Sequence, residues 1–322
     1  MQFGEGNFLR AFVDYIFDVT NEKTDFNGGV VIVKPIEFGT LERFHDQECQ
    51  YTLQLRGFVD GQPKEITRQI TSVVDAVAAI EDYDKYIEYG TSETLRFIVS
   101  NTTEAGIVFD ETDNDPNARP PKTYPGKLTQ LLYKRYQKFN GAADKGLILL
   151  PCELIADNGI ELKKCIMKFI ELWGLEDGFK DWVNNYCSFC PTLVDRIVPG
   201  YPREDAAKLC KEWGYEDQLI DRAEVFGLWV VESDSNLPLE QLEKELPFKE
   251  AGLNVVFTKD HHPYKERKVR ILNGSHTSFV LASFLAGNDN VENSMKDPVI
   301  RKYMEETLYN EVIPTLSLSK ED

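Results

Sequence analysis

Apolar residues along the chain fall into two kinds of run, short unbroken ones and longer ones of helical period. The unbroken runs at 29–33 (Gly-Val-Val-Ile-Val), 95–99 (Leu-Arg-Phe-Ile-Val) and 145–150 (Lys-Gly-Leu-Ile-Leu-Leu) predict buried strands of a parallel sheet. Two further strands are expected within 224–232 and 253–258. Helical periodicity marks segments at about 82–89, 126–139 and 160–173, and an amphipathic run from the glycine turn at Gly4 to about Val19. Tyr51-Thr-Leu-Gln-Leu-Arg56 and Lys64-Glu-Ile-Thr-Arg68 flank Asp60-Gly61 and read as a hairpin. The Asp-, Asn- and Pro-rich stretch 110–125 reads as a surface loop.

The stretch 265–287 reads as one helix, with Gly287 as its stop. At roughly 100° per residue, Lys268, His276 and Asn273 lie near 0°, 80° and 140°, on one side together with Leu272 and Phe279. An amine, an imidazole and an amide converging in apolar surroundings suit proton transfer at a carbonyl or alcohol carbon. Burial beside an imidazole lowers a lysine pKa toward the range of a general acid/base, and an amide can donate to an oxygen that gains charge. The alternative is an ordinary polar stripe on a structural helix.

With 322 residues, 42% of them hydrophobic, the chain has material for one large domain or two. A net charge of -18 argues against nucleic-acid and acidic-membrane partners. No apolar run of membrane-spanning length and no basic-then-apolar leader stands in the sequence, so the expected compartment is the cytoplasm. Six cysteines do not make a disulfide scaffold, and Cys187-Ser-Phe-Cys190 is a lone CxxC without a second pair, so buried reduced thiols are expected. Met1-Gln-Phe3 leaves almost no strand before Gly4, and the chain stops soon after a helical stretch at 301–308. The ends therefore read as those of a fragment, with an apolar helical face around Phe279 and Phe284 lacking a full covering layer.

Gly4-Glu-Gly6 before a helix lets backbone approach a pyrophosphate, whose charge the helix N-terminus favours, although Leu9 replaces the third glycine. A plain glycine turn is the other reading. After the 29–33 strand stands Lys34, with Glu37 three residues on, which leaves NAD against NADP open. The polar loop Ser100-Asn-Thr-Thr-Glu104-Ala-Gly106 follows a strand, where such sheets meet ligands. Asp195-Arg196 inside an apolar stretch is either an internal ion pair or a pair beside the substrate. His261-His262-Pro263 reads as a hinge rather than a metal pair.

Gln2-Phe-Gly-Glu-Gly-Asn-Phe-Leu-Arg-Ala-Phe12, the 100–106 loop, Pro151-Cys-Glu-Leu-Ile155, Thr192-Leu-Val-Asp-Arg-Ile197 and Pro263-Tyr-Lys-Glu-Arg-Lys268 through His276 keep a fixed order and spacing. In this the chain resembles the polyol-specific long-chain dehydrogenases, the mannitol dehydrogenase family, over essentially its whole length. The resemblance implies an α/β fold, with a Rossmann-like dinucleotide-binding domain over 1–262, its first strand incomplete. The start of an all-helical substrate domain would follow over 263–322. It implies NAD as cofactor, held by Gly4, Gly6, Asn7, Phe8 and Arg10, with Thr103 and Glu104 near the nicotinamide. It further implies hydride transfer between NADH and a small-molecule sugar-acid ketone, with another uronate or polyol as alternative substrate. Lys268 would be the acid/base, Asn273 and His276 would polarise the reacting oxygen, and Asp195 would be a supporting acid. Leu154 stands where mannitol dehydrogenases carry an asparagine, so Asn158 is expected to replace that donor. Arg196 and Lys265 are candidates for binding substrate, with Arg267 and Arg270 as further cations for its carboxylate. No metal is implied. A nucleotide-binding remnant without catalysis is the reading from another class.

Overall fold

Six strands make one parallel sheet: β1 (Gln2–Phe3), β2 (Val30–Lys34), β3 (Val73–Ala78), β4 (Phe97–Ser100), β5 (Ile148–Pro151) and β6 (Ser188–Phe189), in the order β3-β2-β1-β4-β5-β6. The structure is a computed structural model describing residues 1–103 and 105–318. Successive strand residues enter opposite cores. Ile32, Ala76, Val99, Ile148 and Leu150 go to one face, and Val33, Val77, Ile98 and Leu149 go to the other. Both faces are covered, so the runs are apolar without alternation. The order reverses between β1 and β4, as in a doubly wound dinucleotide-binding sheet.

β1 is two residues long yet central. Gln2 lies opposite both Ile32 and Val99, and Phe3 opposite both Val33 and Ser100. β3 was not expected. Asp75 interrupts its apolar run, and that carboxylate is turned outward to Tyr89 and Lys85. The hairpin is Tyr51–Val59 and Gln62–Ile70, turning through Asp60 (φ 52°) and Gly61 (φ 74°), two left-handed residues that match the strands' twist. The strand expected within 224–232 is present as Leu228–Glu232, and a further strand precedes it. Asp221–Glu224 pairs parallel with the hairpin, while Leu228–Glu232 pairs antiparallel with Thr192–Asp195 and parallel with Val255–Thr258.

The chain divides into two compact units, 1–259 and 260–322. The second is helical. Its first helix begins at His262, inside the stretch read as a hinge, because Pro263 suits the first turn and Asp260 accepts from the His262 backbone N–H at 2.9 Å. The segments His262–Arg267, Lys268–Asn273 and Gly274–Leu285 run on without a break, and Gly287 at φ +90° ends them as expected. The middle segment is π-helical, which the sequence did not show. Asp297 caps the helix Pro298–Glu306 through the Val299 and Ile300 amides. Phe279 is buried, but Phe284 is 68% and Leu285 78% exposed, with Val280 and Leu281 also exposed, so an uncovered apolar face is present. Among the described residues no helix is long and apolar enough to cross a membrane.

Candidate dinucleotide site and polar helical turn

The first functional element sits where the sheet order reverses. β1 runs into Gly4, whose φ of +124° only glycine adopts without strain. Its N–H donates to Val33 O at 3.0 Å, and a Cβ there would stand 3.1 Å from Asn101 O. The turn after β1 and the loop after β4 are therefore in contact. Gly6 is extended and precedes the helical residue Asn7 with no side-chain cap, and a Cβ on Gly6 would meet nothing within 4 Å. A helix start without a side-chain cap, reached by glycine backbone and facing open space, is a place for an anion. Leu9, the non-glycine third position, is 2% exposed and packs in the core.

The loop after β4 is braced from β5. Glu153, 2% exposed, accepts from the Thr102 N–H and Thr102 Oγ1 at 2.9 Å each and from Ser100 Oγ at 3.1 Å. Burial pushes its carboxyl pKa up, while those donors pull it down. Thr103 follows with φ +70° and is exposed. Glu104, expected beside it, lies outside the described residues. In the sequence Glu153 stands out only as part of the Pro151-Cys-Glu-Leu-Ile155 motif. The signal available was its place directly after a central parallel strand, where site residues collect.

Several expected ligands turn inward instead. Arg10 is buried, donating to Leu219 O at 2.6 Å and Asn7 Oδ1 at 2.5 Å, over the Tyr51 ring at 5.0 Å. It supports the turn from below. Asn7 is exposed, and Phe8 is half-buried and stacked on Phe12 at 5.2 Å. Asn158 is 1% exposed, so it does not replace the missing oxyanion donor. Its amide donates to Pro151 O, Glu153 O and Thr192 O, and its carbonyl accepts from the Thr192 and Gly159 amides. Arg196 is held by backbone carbonyls. It donates to Ala11 O at 2.7 Å, Phe226 O at 3.0 Å and Val225 O at 3.3 Å, and it lies over the Tyr15 ring. Lys34 is likewise engaged, with Ile36 O, Glu37 O and Glu81 around its ammonium. A polar residue in an apolar run is as readily a buried tie as a ligand.

Beneath the glycine turn lies a buried acid pair. Asp14 accepts from Tyr51 Oη at 2.9 Å, and Asp221 Oδ2 is 3.7 Å from Arg10 Nη2. Burial raises each carboxyl from 3.8 to about 7, opposed by Tyr51 and Arg10 for Asp14 and by Arg10 for Asp221. The folded protein therefore holds protons that the unfolded chain has released. The stability they confer is complete below about pH 4 and is lost as pH rises through about 7. Thermal melts from pH 5 to 7 are expected to show the contribution of this pair falling with pH, by up to about 1.4 kcal/mol per unit for each proton, against the opposite slope of the buried Met1 amine, which burial lowers to about 5. Asp14→Asn, which still accepts from Tyr51, should remove one proton's share of the slope. An unchanged slope would assign the effect to other groups.

All six cysteines are buried and unpaired with one another, and burial pushes the Cys187 and Cys190 thiols up to about 12, so the CxxC is inert.

In the second unit the residues Lys268 to Asn273 form the π-turn itself. Wider turns of this kind collect at functional sites. The turn also breaks the uniform 100° phasing, and the side chains differ from expectation. Lys268 and Lys265 are half-buried, whereas Asn273 and His276 are exposed rather than facing protein. The His276 ring lies 5.9 Å from the buried Phe279 ring. Asp195 is half-buried at the end of its strand in the first unit, opposite Leu228.

The fold and the glycine turn define a dinucleotide-binding protein. The profile of the mannitol dehydrogenase Rossmann domain matches residues 1–244, and that of the mannitol dehydrogenase C-terminal domain matches 260–322. The chain belongs to the mannitol dehydrogenase family. It is 45% identical over 322 residues to an altronate oxidoreductase of Phocaeicola vulgatus, covering 100% of this chain and 66% of the relative. To the altronate oxidoreductase of Bacillus subtilis it is 43% identical over 318 residues, covering 99% of this chain and 65% of the relative. The chain thus spans about two thirds of the length of these relatives. Among solved structures, Pseudomonas fluorescens mannitol 2-dehydrogenase, in a ternary complex with NAD and D-mannitol, superposes with a TM-score of 0.78 at 24% identity. That match covers 100% of this chain and 65% of the other. A substrate-free D-sorbitol dehydrogenase superposes at 0.81 and 24% identity, covering 100% and 66%. These two likenesses show the shared fold.

Proposed function

We propose that the protein is an NAD-dependent oxidoreductase that reduces tagaturonate to altronate and runs the reverse oxidation. The observation that carries the cofactor half is the open helix start at Gly6, set where the sheet order reverses. The residues present fit a dinucleotide: Gly4 permits the turn, Gly6 leaves room, and the helix start favours the pyrophosphate. Exposed Glu37 after β2 supports NAD over NADP, since a carboxylate accepts from ribose hydroxyls and repels a 2′-phosphate. The substrate half is supported by the 45% identity to a protein named altronate oxidoreductase.

NADH, when bound at the glycine turn, would supply a hydride for the carbonyl carbon. Lys268, protonated, gives its proton to the carbonyl oxygen, and Asn273 and His276 donate hydrogen bonds to that oxygen as it gains charge. Lys265, Arg267 and Arg270 offer cations for the substrate carboxylate in an otherwise acidic chain. Leu154, in place of the asparagine of mannitol dehydrogenases, supports a uronate over a hexitol.

The test is a titration with NADH and NADPH, followed by a substrate panel of tagaturonate, fructuronate and fructose. Gly6→Val is expected to abolish NADH binding with little change in melting temperature, because the new side chain fills open space and not a packed neighbour. Undiminished NADH affinity in Gly6→Val would move the cofactor elsewhere.

A further inference from the structure

The strongest unexplained group in the first unit is Glu153. Its described partners are all neutral donors on one short segment: the Thr102 amide, the Thr102 hydroxyl and the Ser100 hydroxyl. Burying a carboxyl is costly, and apolar residues commonly serve as well where only packing is required. Here the cost is met by fixing the first residues of the loop after β4.

Thr103 is held in the left-handed region, and the Gly106 N–H donates back to Thr103 O at 3.0 Å. A Cβ on Gly106 would stand 1.9 Å from Thr102 Oγ1, so the return path passes directly over the clamped threonine. Glu153 is itself anchored, because its backbone oxygen accepts from the Asn158 amide at 3.0 Å, which also grips Pro151 O and Thr192 O. A continuous path of hydrogen bonds thus runs from the strand Thr192–Asp195 through Asn158 and Glu153 to Thr102.

In a doubly wound sheet the two mononucleotide halves of a dinucleotide lie on opposite sides of the strand-order reversal. The turn after β2 serves the adenosine side, and the loop after β4 serves the nicotinamide side. We propose that Glu153 is a positioning residue for the nicotinamide half of the cofactor, holding Thr102 and Thr103 in the conformation that receives it. This rests on the NAD reading above. Glu153 acts through the loop and does not touch the reacting atoms.

The experiment compares two probes, NADH for the whole cofactor and AMP for the adenosine half alone. Glu153→Ala is expected to raise the Kd for NADH by about 10- to 100-fold, the scale of losing hydrogen bonds to a carboxylate, while the Kd for AMP stays unchanged. Glu153→Gln, which keeps an acceptor for the Thr102 amide, should restore most of the affinity. If Glu153→Ala does not fold, Glu153→Asp, with its carboxylate one methylene short, makes the same comparison. Equal losses for both probes, or an unchanged NADH Kd, would overturn the proposal. Failure of the unsubstituted protein to bind NADH would overturn the cofactor reading along with it.

Discussion

Lys268→Ala is expected to lower turnover of tagaturonate with NADH by about 10²–10⁴-fold, the scale of a positioned acid/base. The lysine opens a six-residue π-turn that Asn273 closes. Such a turn gives up regular α-helical bonding, and turns of this kind are frequent at functional sites, although Arg10–Asp14 and Thr307–Val312 are π-helical too. Lys268 is half-buried in that turn. NADH affinity should change little, because the phosphates are assigned to the turn at Gly4 and Gly6. Asn273→Ala should cost roughly 10²–10³-fold, as loss of one oxyanion donor does. Steady-state rates at saturating substrate, measured beside melting curves, separate this from a structural stripe. Near-normal turnover with a lowered melting temperature would leave the turn without this chemistry.

Asn158→Ala should destabilise the protein by about 3–4 kcal/mol, among the larger effects a single polar substitution produces. The carboxamide joins the end of β5 to the strand Thr192–Asp195, so truncation deprives three carbonyls and two amides of a partner inside the protein. Pro151 O keeps its bond from Thr192 Oγ1, which limits the loss there. Asn158→Asp keeps the acceptor and loses the donors, so it should also be destabilising. Urea midpoints at constant m-value provide the check. A shift worth less than about 1 kcal/mol would mean that the network is not a structural tie.

Much of the first unit was legible because its strands are buried on both faces, and unbroken runs such as 29–33 and 145–150 have little else to be. The hairpin was legible from Asp60-Gly61, since its turn needs two left-handed residues. β1 was less so. Two residues carry almost no pattern, and their strand character comes from hydrogen bonds to β2 and β4. The π-turn at Lys268 was invisible for a related reason, because a change of helical register depends on which carbonyl each amide chooses. The site divided along the same line. Gly4 could be read from its own chemistry, whereas the inward direction of Arg10, Asn158 and Arg196 depends on carbonyls distant in sequence. Glu153 shows the reverse failure, a residue of ordinary appearance given its place by a loop about fifty positions away.

The burial of every cysteine has a practical consequence for spectroscopy. Thiol-directed dyes and spin labels will find no ready attachment point on the native fold, so background modification will be low. A single cysteine placed at exposed Phe38, on the loop after β2, would then be the one reporter on the molecule. Its emission or line shape could follow nucleotide arrival in real time without first removing the native sulfurs.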